Sequence, residues 1–144
     1  MFRRVSQPPP PADRIPPVLR ARLDVAREAL LAVHKALLDH ERVGYERTMG
    51  PIESAGRLLQ LVIHDPWFAW LHALSEMVVR IDQVIDEPAS TSGDGAALFD
   101  QVGRLLTASE DGDGFARRYF DALQRQPAVV LAHADVRRTL KGTR

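Results

Sequence analysis

Eight positions early in the chain, Leu19, Leu23, Ala26, Leu30, Val33, Leu37, His40 and Gly44, follow one another at an unbroken spacing of four and three residues. That spacing gathers side chains along one seam of an α-helix, whereas a strand would alternate every second residue. It predicts one long helix over residues 17–47, packed lengthwise against other helices. A second stripe, Leu31, Leu38 and Tyr45, lies one position further round, and a helix apolar along two adjacent stripes touches two neighbours. Met49-Gly50-Pro51 ends it, since glycine closes helices readily and proline does not continue them.

Residues 64–86 carry both tryptophans and read as the central helix of the domain. Asp65 is placed to cap it, and Pro66 stands at the first helical position, where a missing N–H costs nothing. Trp67, Trp70, Leu71, Leu74, Met77, Val78, Ile81, Val84 and Ile85 then recur at helical spacing. Shorter helices are predicted over 52–63, 96–108, 115–126 and 128–140, with Pro127 opening the last. Residues 88–95, rich in Ser, Thr, Gly and Pro, read as a loop. No alternating strand pattern is present. The expected fold class is all-α, a four-helix-type bundle with additional short helices. It forms one domain over residues 18–144, behind a Pro-rich tail at residues 1–17 that holds six of the ten prolines and favours an extended, polyproline-like path.

Charge narrows the range of partners. Nineteen basic and nineteen acidic side chains leave no net field to attract nucleic acid or an anionic membrane. The distribution is uneven, with nine basic against six acidic groups up to Arg47, two against eight from Thr48 to Asp100, and eight against five thereafter. An acidic middle between basic ends favours pairing within the molecule or between subunits over a polyanionic partner. The basic C-terminal residues Arg137, Arg138, Lys141 and Arg144 suit a helix C-terminus and a solvated tail. Cysteine is absent, which excludes disulfides, thiol catalysis and thiolate metal sites. No window reaches the roughly 20 apolar residues of a membrane span, and no apolar run follows the N-terminus, so a cytoplasmic location is expected.

Histidines and carboxylates make the one constellation with chemical content: His34, His40 and Glu41 on the first helix, His64 before the central one, His72 and Glu76 within it, and His133 with Asp135 on the last. His72 and Glu76, four apart, share a helix face. The His-x3-Glu spacing resembles the hemerythrin-type di-iron bundle, in which that element recurs. The resemblance implies a metal or small-ligand site at His40, His72 and Glu76, completed by His34, His64 or His133, with iron, zinc or manganese as the ion. The chain departs from that family on its last helix, where Arg137 and Arg138 follow His133 and no His-x4-Asp pair is formed.

Advancing about 100° per residue points Trp70, Leu74, Met77 and Ile81 toward the core, and His72, Glu76 and Gln83 to the opposite side. Phe68 and Val79 fall on that outward side too, which makes them interface candidates. His40, by its place in the seam, points inward. Ser109 to Gly114 begins like a calcium loop, but Phe120 stands where a bidentate Glu is required, and capping by Asp113 accounts for the segment. There is no Gly-rich phosphate loop, nucleophile elbow or H-E-x-x-H. The reading is therefore a non-enzymatic protein-interaction or homo-oligomerising module without a cofactor. The metal- or small-ligand-binding bundle is the alternative.

Overall fold

The computed structural model describes residues 14–142, and these fold as an all-α domain. Its helices are α1 (Pro17–Met49), α2 (Ala55–His64), α3 (His72–Asp86), α4 (Ser92–Leu105), α5 (Gly114–Arg125) and α6 (Pro127–Lys141), with a 3-10 segment (Pro66–Leu71) joined directly to α3. Among the described residues there is no strand, and Arg14 makes an isolated bridge to Thr91. No helix among them is long and apolar enough to cross a membrane.

The segment 64–86 packs against α1, α2, α4 and α5, and the element with the longest buried stripe is α1. Helices α3, α4 and α6 and the 3-10 segment all rest on it. Leu23, Ala26, Leu30, Val33 and Leu37 of the expected seam are buried, but His40 and Gly44 are only half-buried, and Tyr45 of the second stripe takes over. An ideal helix drifts by about 20° per heptad against a strict seven-residue repeat. By the third heptad that drift turns Gly44 off the buried face and brings Tyr45 onto it. Leu31, at the start of the same stripe, stays exposed.

The segment 64–86 divides because its first turns are wound more tightly. Asp65 caps as expected, its Oδ1 accepting from the Trp67 N–H at 2.8 Å. In a 3-10 helix residues three apart eclipse one another, so Phe68 aligns with Leu71 and Trp67 with Trp70. Phe68 and Leu71 are completely buried, and the two tryptophans are half-buried. Regular α-geometry then places Leu74, Met77, Val78 and Ile81 in the core.

Two loops are built differently from expectation. Helix α4 begins at Ser92, inside the predicted loop, because Thr91 and Asp94 form a reciprocal capping box: Asp94 N–H donates to Thr91 Oγ1 at 3.2 Å, and Thr91 N–H to Asp94 Oδ2 at 2.8 Å. Asp113 stands at the N-cap of α5 without a side-chain capping bond. There the Ser109 N–H bonds the Ala116 carbonyl at 3.1 Å, and Gly112 packs so tightly that a Cβ would lie 3.0 Å from that of Ser109. Most of the Pro-rich tail, residues 1–13, lies outside the described residues. From Arg14 the chain is already docked, with Ile15 buried and its N–H on the Ser90 carbonyl.

Because Leu30 is fully buried at the middle of α1, Leu30→Ala should cost about 2–5 kcal/mol, read as a lowered midpoint in urea unfolding followed by circular dichroism. Thr91→Ala should cost about 1 kcal/mol by loss of the cap.

Candidate functional site

Helix α3 has one face against α1 and another that points outward, and the two are chemically distinct. Along the outward face run Glu76, Val79, Gln83 and Asp86, all exposed. Val79 is 52% exposed and stands between two open clefts. One, of about 340 Å³, is lined with Ser75, Glu76 and Arg80. The other, of about 580 Å³, is lined with Asp82, Gln83, Asp86 and Glu87. An apolar side chain with charged groups around it has the layout of a small apolar centre with a polar rim.

Phe68 does not belong to this face. It is fully buried, its ring centroid 5.6 Å from that of Tyr45, because the 3-10 winding turns it toward the core. Of the two interface candidates only Val79 is at the surface.

The histidines take up separate structural tasks. His72, the first residue of α3, donates from Nε2 to the Val62 carbonyl at 2.7 Å, tying the end of α2 to the start of α3. That bond explains why a residue on the outward side of the helix is half-covered: α2 lies over it. His34 of α1 approaches Ser75 Oγ through Nε2 at 3.3 Å. Burial, and secondarily the nearby His72, push the His34 imidazole below the ordinary histidine range. His40 is half-buried, and Glu76 and His64 are exposed. Among the described residues no three His, Asp or Glu side chains are placed to hold one metal ion. The iron, zinc or manganese site at His40, His72 and Glu76 thus rests on residue types and the His-x3-Glu spacing, with no convergence of ligands behind it.

A buried polar pair went unnoticed in the sequence. Tyr119 of α5 is completely buried, and its hydroxyl lies 2.6 Å from Nδ1 of His133 on α6. Burial holds the phenol far above its ordinary pKa, with a small opposing effect of Arg137, and pushes the His133 imidazole down, helped by Arg137. With both groups neutral, one proton lies between the phenol oxygen and Nδ1, and either His133 tautomer completes the bond. Phe115 stacks on Tyr119 at 5.4 Å and meets Trp70 at 5.3 Å, so one aromatic row joins α6, α5 and the 3-10 segment. The available signal was that a buried tyrosine hydroxyl needs a partner, with His133 on the apolar side of the next helix.

Comparison with known protein families, with curated proteins and with solved structures finds no match to this chain.

Both His34 and His133 hold their protons less tightly folded than unfolded. Their stabilisation is therefore complete above about pH 6.5, the unfolded histidine value, and is lost as pH falls through the lower folded values. Urea midpoints measured across this range should fall toward acid, and the fall should be smaller in a His34→Gln, His133→Gln double variant.

Proposed function

We propose that this protein works as a non-enzymatic binding module whose contact surface is the outward face of α3, centred on Val79. The observation that carries the reading is the half-exposed Val79 set between two clefts with charged walls. Covering it removes apolar area from water, worth about 25 cal/mol per Å², while Glu76, Arg80 and Asp86 around it give register and selectivity. The face is carried on a helix whose other side is locked by Leu74, Met77 and Ile81, so the surface is rigid before contact and loses little entropy on binding.

The inner face of α3 supports the same reading. Glu76 and Gln83 on the outward face can vary without touching the core, because α3 is amphipathic and buries Leu74, Met77, Val78 and Ile81 on its other side.

A photocrosslinking amino acid at position 79 of the full chain should form a covalent protein adduct that is lost when Glu76 and Gln83 are both replaced by Arg. The same probe at exposed Leu59 on α2 should not give that adduct. Equal labelling at both positions, or none at 79, would contradict the reading. Val79→Arg should abolish association while changing folding stability by no more than about 0.5 kcal/mol, as is usual for solvated positions.

A further inference from the structure

Resting on the α3 face as the binding surface, we infer that its partner is a second copy of this chain, presenting α6. The electrostatics of α3 ask for a cationic partner. A helix C-terminus carries partial negative charge and favours cations, yet the last turn of α3 contains no basic residue and ends in Asp86, with Glu87 as its C-cap. Helix α1 offsets part of this. Arg27 Nε bonds Asp82 Oδ1 at 2.5 Å, and Arg20 donates to the Ile85 carbonyl. The Glu87 carboxylate accepts from the N–H of Ala89 in its own loop, and neither Asp86 nor Glu87 has an ion-pair partner among the described residues.

The outward face of α6 has the complementary charge and the same spacing. Leu131, 69% exposed, borders an apolar cleft of about 410 Å³ formed with Leu123, Pro127 and Val130. Seven residues later stands exposed Arg138, followed by exposed Lys141. On α3 the interval from Val79 to Asp86 is also seven residues, about 10 Å along a helix axis. Laid parallel, the two faces bring Val79 of one copy into the cleft beside Leu131 of the next, with Arg138 and Lys141 opposite Asp86 and Glu87. Laid antiparallel, the same alignment of Val79 on Leu131 sends Arg138 toward His72, away from these carboxylates. The one local competitor, the ion pair of Arg138 with Asp135 on its own helix, is exposed and so worth little.

Two different patches meet in such a contact, so copies either pair reciprocally about a two-fold axis, α3 on α6 and α6 on α3, or join head to tail as a ring or open chain. This sets it apart from a two-fold dimer in which Val79 meets Val79.

The test is sedimentation of the full chain across a wide concentration range, at low and high salt, with two charge-reversed variants. One is Asp86→Lys with Glu87→Lys, and the other is Arg138→Glu with Lys141→Glu. The wild-type chain should associate with concentration and do so less at high salt. Each variant alone should associate at least about tenfold more weakly. An equimolar mixture of the two should regain association, because every contact between unlike variants again joins opposite charges. Urea midpoints near wild type would show that both variants fold. A wild-type chain that stays monomeric throughout overturns the inference, as does a mixture no better than its components. If the wild type associates, Val79→Arg abolishes it and the charge reversals do not, the α3 face stands and the assignment of α6 falls.

Discussion

Burial of the apolar stripe of α1 is the contact that α3, α4, α6 and the 3-10 segment share. Leu23, Ala26, Leu30, Val33 and Leu37 are at most 1% exposed, and α3, α4, α6 and the 3-10 segment each cover part of that stripe. A 33-residue helix in isolation would have little reason to hold together in water, since helical stability in proteins comes mostly from packing an amphipathic face. Here folding of α1 and docking of its neighbours are therefore coupled. Polar contacts then fix details the apolar contacts leave open: Arg20 and Arg27 seat the C-terminal half of α3, and Tyr119 with His133 joins α5 to α6.

The same arrangement separates the side chains that hold the fold from those that face water. Helix α3 gives its apolar stripe to the core and keeps Glu76, Val79, Gln83 and Asp86 outside. Side chains on the outer face are solvated and contribute little to folding, so they are free to be selected for contact. The negative end of α3 is only partly compensated within the chain, and charge left in that condition is a standing preference for a cationic surface. The uneven run of charge along the sequence thus has a spatial counterpart, with acidic groups at the end of α3 and basic ones at the end of α6.

Much of the fold was legible because helical periodicity is a direct consequence of which side chains are buried. The all-α class, the long first helix, its end at Gly50 and the cap at Asp65 all follow from spacing and from Gly, Pro and Asp chemistry. What could not be read depended on small changes of winding or on partners distant in sequence. A 3-10 turn of six residues moved Phe68 from the surface to the core, and no periodicity argument at 100° per residue could show it. The drift that replaced Gly44 by Tyr45 builds up only over three heptads. At the candidate site, Val79 was legible as an outward apolar residue on an otherwise polar face. The roles of His72 and His133 were not, because the Val62 carbonyl and the Tyr119 hydroxyl are set by tertiary packing. The loop that became the start of α4 shows the opposite bias: Ser and Gly content suggested a turn, while Thr91 and Asp94 form a helix start.

The most direct test of the account is backbone amide chemical-shift mapping of the ¹⁵N-labelled full chain as a function of its own concentration. The account predicts that shifts move with concentration along the outward face of α3, from Glu76 to Glu87, and along α6 from Leu131 to Lys141, while amides beside Leu30 and Leu74 in the core stay fixed. Shifts that do not depend on concentration, or that move elsewhere and leave α3 untouched, would contradict it.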